Sequence, residues 1–448
     1  MFMEIEKMKK TVVIGGNAAG MSFAAKYRRN CRDEEIVVIE QRDYVSFGAC
    51  GLPYFTANMF DDTERMISRT PEQAIKSGLD LRVNSQVLSL NRDNQTLFIE
   101  SEGTTYSESY DQLIICTGAT PIKPNFGSYN PKHVYTLTTQ EDGLAVKEAF
   151  NNLDLKRICV IGAGFIGLEV FDSAHHLGKD VTVIEREASI LTHQFSSEMV
   201  NIVEQDMINQ QCELKLNCTV NRIEDNSDGS YNVITDSGSV IADIIILSLG
   251  FKPNTELFDL DKAQNGALLT DKLGQTNDAN IYAMGDCAMA HHQVLEQPVY
   301  LPLATTANKQ ARMMADHLAG KETFLEGFLG SSCLKVLDQE LATTGITEAT
   351  AKRFDIPYKT VLIEDKNQTD YYPGQEDIMV KLIYSPASKV LLGGEVVGKK
   401  GAVGRVNALA VAVTAKMTTS QLGYLDFCYA PPFARTWDTL NVAGNVAK

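Results

Sequence analysis

Two stretches of the sequence repeat one pattern: an apolar strand, a glycine-rich turn, a helix-compatible run, a second strand and an acid at its end. The second copy is complete. Ile158-Cys159-Val160-Ile161 leads into Gly162-Ala163-Gly164-Phe165-Ile166-Gly167-Leu168-Glu169, and Val181-Thr182-Val183-Ile184 ends in Glu185, 23 positions after Gly162. A βαβ unit of this kind binds a dinucleotide. Its first glycine permits the tight turn, its second lets backbone approach a pyrophosphate, and its third packs helix against strand. The helix N-terminus then faces the phosphates. Glu185 is placed to bond a ribose diol and would repel a 2′-phosphate, which favours NADH; Arg186 beside it leaves NADPH admissible.

The first copy runs from Thr11-Val12-Val13-Ile14 into Gly15-Gly16-Asn17-Ala18-Ala19-Gly20. A helix-compatible run from Met21 to Arg29 follows, and the strand Ile36-Val37-Val38-Ile39 ends in Glu40, 25 residues after Gly15. Asn17 stands where the middle glycine would be, so this copy by itself also fits a tight structural turn. Two dinucleotide folds in one chain imply two dinucleotides, FAD and NAD(P)H. The first takes Gly15, Asn17, Ala18, Ala19, Gly20 and Glu40; the second takes Gly162, Gly164, Phe165, Ile166, Gly167 and Glu185. Leu113-Ile114-Ile115 and Ile244-Ile245-Ile246-Leu247 read as buried strands, and the turns beyond them, at Gly118 and Gly250, mark exits from the two units. Ile281-Tyr282-Ala283-Met284-Gly285-Asp286 places an acid at a strand tip. Alone, Asp286 would be a helix cap; after two nucleotide folds, Gly285 and Asp286 read as contacts to a flavin polyol.

Between Glu40 and the next strand lies Ser46-Phe47-Gly48-Ala49-Cys50-Gly51-Leu52-Pro53-Tyr54. One cysteine sits in a glycine-bracketed turn, with Pro53 suited to the first turn of a following helix. A thiol at a helix N-terminus is shifted toward thiolate. The position five residues on is Phe55, so the C-x4-C spacing of a dithiol centre is absent. A redox-active Cys50 would therefore oxidise to a sulfenic acid, or to a mixed disulfide or persulfide with a small molecule. The competing reading is a small buried hydrophobe.

At 448 residues the chain suits about three domains. The formal charge of −16 argues against nucleic-acid binding, and no apolar run is long enough to span a bilayer. Lys7, Lys9 and Lys10 precede an apolar segment that is too short for a secretory leader and enters a glycine loop directly, so it reads as a first strand, with a cytoplasmic location as the default. Nine cysteines lack C-x2-C spacing, and the histidines show no ligand pairs, so no metal site is expected. The expected fold is α/β: two Rossmann-like dinucleotide-binding domains, for FAD (1–120 and 245–322) and NAD(P)H (121–244), then a C-terminal α+β domain over 323–448. In that last part Met379–Tyr384 and Val390–Val397 read as a hairpin, Arg405–Lys416 as a small-residue helix, and Cys428–Phe433 as a rigid loop.

Taken together, these residues resemble the single-cysteine branch of the pyridine nucleotide-disulfide oxidoreductases, and within it the coenzyme A-disulfide reductases. The marks are Ser46-Phe47, Cys50-Gly51-Leu52-Pro53-Tyr54, Tyr371-Tyr372-Pro373-Gly374 and Tyr429-Ala430-Pro431-Pro432. The resemblance implies a homodimer whose C-terminal domain is a dimerisation domain. It brings Tyr371 and Tyr429 of one subunit to Cys50 of the other as catalytic groups, and places Ser46, Ala49 and Arg29 at the coenzyme A substrate. Phe165 and Glu169 would lie close to the nicotinamide. The implied activity is reduction of coenzyme A disulfide, or a related low-molecular-weight disulfide or persulfide, by NAD(P)H through FAD and Cys50. Two departures matter. Ala49 replaces a common Asn and removes an amide beside the sulfur; Ala18 replaces the His of related NADH oxidases and peroxidases and removes their acid/base. An oxidase or peroxidase working through a Cys50 sulfenic acid is the alternative enzyme, and a redox-sensing flavoprotein the non-enzymatic one. Some relatives append a rhodanese domain, and none is expected before Lys448.

Overall fold

Lys10–Ile14 is the middle strand of a five-stranded parallel sheet, ordered Ile281–Ala283, Gln112–Ile115, Lys10–Ile14, Glu35–Ile39, Asp80–Arg82. Its apolar runs are continuous because both faces are covered. Val13, Val38 and Ile114 pack under Phe23 and Tyr27 of the helix Ala18–Asn30 and Ala311 and Met314 of the helix Ala304–Leu318. On the other face Val12, Val37 and Leu113 meet Val87, Leu97 and Ile99 from a three-stranded antiparallel sheet. The structure is a computed structural model that describes residues 8–323 and 326–447; Lys7 lies outside the described residues.

Contacts divide the chain into two units. The first comprises the chain up to Gly51, Asp62–Pro121 and Phe251–Phe328; the second comprises Leu52–Asp61, Ile122–Gly250 and the chain from Leu329 onward. The second unit repeats the parallel design, with strands ordered Glu213–Lys215, Asp180–Ile184, Arg157–Ile161, Ile244–Leu247, Val134–Tyr135. The strand Tyr231–Thr235 is the middle of a small antiparallel sheet that covers Cys159 and Ile161.

The C-terminal part of that unit is a five-stranded antiparallel sheet: Ser332–Val336, Gln339–Gly345, Leu391–Gly398, Asp377–Tyr384, Lys359–Lys366. The anticipated hairpin forms between Asp377–Tyr384 and Leu391–Gly398. The small-residue helix spans Ala402–Thr414, burying Val406, Leu409 and Val413 and leaving Val411 exposed. Inside this unit two charges stand in apolar strands and face each other in register, Lys381 and Glu395. Glu395 is fully buried, and its two oxygens accept from the N–H and the hydroxyl of Ser196, each at 2.8 Å. It thereby ties down Ser196, the N-cap residue of the helix Ser197–Asn209. Lys381, with a side chain 1 % exposed, pairs with Glu198 and Glu348. A buried cation needs such partners, because desolvation otherwise costs several kcal/mol, on the order of the whole fold's margin.

Candidate active site

The two glycine loops are built alike. Gly15 and Gly162 have φ of +101° and +103°, and a side chain at either would strike the carbonyl of Cys116 or of Ser248, at 2.3 Å in each case. Gly20 and Gly167 lie against the carbonyls of Gly15 and Gly162, where a Cβ would sit at 1.8 and 2.0 Å. The middle position differs in its demands. Gly164 has φ −81° and open space around it, and Asn17 has φ −100°. Neither backbone needs a glycine, which is why Asn17 is tolerated. Its Oδ1 is buried without a hydrogen-bond partner, and it starts the helix that carries Ala18, Ala19 and Gly20 without capping it. An orphaned acceptor beside open helix N–H groups is a place for a ligand's hydroxyl or ordered water.

Both strand-end acids reach back to their loops. Glu40 accepts from Gly16 N at 2.6 Å and Arg42 N at 2.9 Å; Glu185 accepts from Ala163 N at 2.7 Å and Glu187 N at 3.0 Å. A carboxylate has about four lone-pair sites, so each retains capacity for a ribose hydroxyl. Arg186 is ion-paired with Glu187.

Asp286 follows the strand Ile281–Ala283 in a short turn with Gly285, whose φ is +74° and whose absent side chain makes room for Ala19. Burial holds the Asp286 carboxyl above the usual range, with no charge or hydrogen bond offsetting it. Gly118 (φ +67°) and Gly250 (φ +87°) turn the chain at the ends of their strands. A half-buried acid, a glycine cradle and an unpartnered Asn17 oxygen in one unit fit a polyol diphosphate such as FAD, and the repeated cradle in the other fits a second dinucleotide.

Cys50 is exposed, which is not the surrounding a buried hydrophobe would have. It lies in a single 3-10 turn, Ala49–Gly51, ahead of the five-residue helix Leu52–Thr56 with Pro53 in its first turn. The turn is bonded on two sides. Ser46 N donates to Gly16 O at 2.9 Å, Ser68 N to Ser46 O at 3.0 Å, and Gly48 N to Met66 O at 2.7 Å. Ser46 holds φ +55°, a left-handed conformation that costs a non-glycine residue about 1 kcal/mol or more. Two backbone bonds over-determine it. Arg29 is exposed on the last turn of its helix and pairs with no acid among the described residues.

In the second unit, Tyr371 and Tyr429 meet, hydroxyl to hydroxyl, at 2.9 Å although 58 residues separate them. The shared hydrogen bond holds the Tyr371 phenol above its ordinary pKa. They line an open cavity of about 520 Å³ with Lys366, Asp370, Arg435 and Trp437. Phe165 and Ile166 are half-buried at the start of the helix Phe165–His176. Glu169 on the same helix accepts a 3.3 Å hydrogen bond from Tyr54, and burial pushes its carboxyl up to about 7. Tyr54 is the residue sequence reasoning passed over. Its hydroxyl four places after Cys50 was visible, its partner 115 positions away was not. Among the described residues, no group of three His, Cys, Asp or Glu could hold a metal, and no helix is long and apolar enough to cross a membrane.

Two dinucleotide cradles and an exposed cysteine in a pinned turn define a two-nucleotide thiol oxidoreductase. The pyridine nucleotide-disulphide oxidoreductase family model matches residues 9–311, and the dimerisation domain of the same family matches residues 331–441. The chain belongs to that family, whose members work with FAD and NAD(P)H. It is 35% identical over 451 residues to an NAD(P)H sulfur oxidoreductase (CoA-dependent) of Pyrococcus abyssi, with all of both chains covered. It is 31% identical to the coenzyme A disulfide reductase of Staphylococcus epidermidis RP62A, covering 98% of this chain and 100% of the other. The structure of a water-forming NADH oxidase from Lactobacillus brevis bound to NADH superposes with a TM-score of 0.94 at 30% identity, covering 98% of each chain.

Proposed function

We propose that this chain is an FAD-dependent NAD(P)H oxidoreductase that reduces coenzyme A disulfide, or a related small disulfide or persulfide, through Cys50 as its single redox thiol. The observation that carries the reading is the exposed Cys50, held in a turn bonded to the first glycine loop, in a sequence where Phe55 occupies the place of a second cysteine. With no neighbouring thiol in the next helix, the partner sulfur has to arrive with the substrate.

The Cys50 thiolate attacks one sulfur of the substrate disulfide; that S–S bond breaks, a mixed disulfide forms, and the first thiolate leaves and takes a proton. Two electrons and a second proton then return Cys50 to the thiolate and release the second thiol. Bound FAD supplies the two-electron exchange between dihydronicotinamide and sulfur. Glu40, Asn17 and Asp286 hold that cofactor, and Glu185 with the Gly162–Gly167 loop holds the pyridine nucleotide. Glu185, with Arg186 engaged by Glu187, favours NADH. Tyr371 and Tyr429, from the partner subunit of a homodimer, donate to the departing sulfur, and Ser46, Ala49 and Arg29 face the substrate, Arg29 supplying a cation for its phosphates.

Intact-protein mass spectrometry without reductant tests this. A coenzyme A adduct on Cys50 is the expected result. An unmodified or sulfenic Cys50, with NADH consumed rapidly under oxygen alone, would instead establish the oxidase reading that the likeness to the water-forming enzyme supports. Ala18, in place of the acid/base histidine of those oxidases, speaks against it.

A further inference from the structure

The segment after Cys50 is seated on the nucleotide-binding part of the second unit by several polar contacts. Ser173 Oγ, almost fully buried, donates to Pro53 O at 2.7 Å and lies 2.8 Å from the carbonyl of Glu169. Lys147 Nζ donates to Phe55 O at 3.1 Å and Phe60 O at 2.9 Å. Gly143 gives Leu52 its space, since a Cβ there would sit 2.4 Å from Leu52 Cδ2. This seat aims one side chain at the helix Phe165–His176: Tyr54, whose hydroxyl donates to Glu169 Oε1 at 3.3 Å.

The groups facing Glu169 are few. Tyr54 comes from the segment after Cys50, Asp172 from Glu169's own helix, and Cys333 from the strand Ser332–Val336. Asp172 is itself engaged, accepting from Leu337 N at 2.8 Å and sensing Lys335, His175 and His176. Among the described residues no cation pairs with Glu169 directly. Burial and Asp172 favour its protonated form, and the Tyr54 hydroxyl is the group that favours its anion. Tyr54 keeps its own proton, since burial raises it to about 12.

We propose that Tyr54 is a positioning residue for the nicotinamide half-reaction: by donating to Glu169 it holds that carboxyl in one place and in its anionic form. This rests on the reading of Glu169 as a nicotinamide-facing residue. Loss of hydride turns a neutral dihydronicotinamide into a cation, so an anionic Glu169 stabilises the oxidised ring and a protonated one does not. The hydroxyl four residues after the redox thiol thus sets the charge that the oxidised nucleotide meets.

The test is calorimetric titration of the FAD-loaded protein with NAD+ between pH 5.5 and 9, alongside stopped-flow reduction of the flavin by NADH. Wild-type protein is expected to lose NAD+ affinity as pH falls through the Glu169 titration. Tyr54→Phe keeps the ring and removes the donor. It is expected to move that midpoint, and the acid limb of flavin reduction, upward by about one pH unit. Glu169→Gln is expected to abolish the pH dependence of NAD+ affinity. A Tyr54→Phe midpoint identical to wild type, with Glu169→Gln abolishing the dependence, overturns the role of Tyr54 and leaves Glu169 at the nicotinamide. A dependence that survives in Glu169→Gln overturns the underlying reading and the proposal with it.

Discussion

The turn that carries Cys50 is pinned by backbone bonds: those from Ser46, Gly48 and Ser68 fix it whatever stands at position 49. Replacing the sulfur should therefore leave the scaffold intact. In Cys50→Ser, NADH is expected to reduce the flavin at a rate close to wild type while turnover with coenzyme A disulfide is lost; retained disulfide turnover would remove Cys50 from the mechanism. Tyr429→Phe severs the 2.9 Å bond to Tyr371 and removes one donor to the leaving sulfur. A fall of about tenfold to a hundredfold in single-turnover disulfide reduction is expected, with flavin reduction unaffected; an unchanged rate would exclude that donor role. At this scale the sequence was legible wherever backbone geometry dictates the residue. Gly15, Gly20, Gly162 and Gly167 stand where a Cβ would strike a carbonyl, and the conspicuous exception, Asn17, has a negative φ and matches Gly164, around which a side chain meets open space. Tyr54 was harder to see, because its meaning depends on Glu169 and the two meet only after folding.

The elements were legible from period and punctuation: both βαβ units, the hairpin of Asp377–Tyr384 with Leu391–Gly398, and the helix over Ala402–Thr414, which starts earlier than its side chains suggested because Gly401, at φ +87°, turns the chain into it. The buried charge cluster was not legible. Lys381 and Glu395 each interrupt an apolar strand, but register alone shows that they oppose one another, and tertiary contact alone brings Ser196, Glu198 and Glu348 to them. Removing the cation strands the two carboxylates paired with it, Glu198 and Glu348, so Lys381→Met is expected to lower unfolding free energy by about 3 kcal/mol or more, read as a lower urea midpoint; a change within about 0.5 kcal/mol would show the cluster to be idle. Glu395 makes a second prediction. Burial raises its carboxyl to about 7 from 4.5, so between those values the folded chain binds more protons than the unfolded one. Its contribution is fully present at about pH 4.5 and below, and is lost as pH rises through about 7, amounting to roughly 3 kcal/mol at most. Urea midpoints should fall across that window in the wild type and fall less steeply in Glu395→Gln; equal slopes would refute the assignment.

At the scale of the whole molecule, the two halves of the proposed chemistry lie in different units: Cys50 belongs to the first, and Tyr371 and Tyr429 belong to the second, in the part matching the family's dimerisation domain. Their C-terminal surface is rich in exposed rings, with Tyr371 at 71 %, Phe433 at 74 %, Tyr424 at 77 % and Trp437 at 52 %. If one subunit's tyrosines serve the other's cysteine, defects on opposite sides of that exchange must complement. A mixed dimer of Cys50→Ser with a Tyr371→Phe/Tyr429→Phe double variant contains one site in which an intact cysteine faces intact tyrosines, and one site lacking both. Differently tagged subunits, co-expressed and purified through both tags, should recover about half of the wild-type disulfide turnover per dimer, although each parent homodimer is impaired. Were the tyrosines to serve the cysteine of their own chain, every site in the mixed dimer would carry a defect and turnover would stay at the level of the parents. The measurement thus separates the exchange of active-site parts between subunits from a dimer that merely buries its aromatic face, because only the first makes activity depend on which chain carries which substitution.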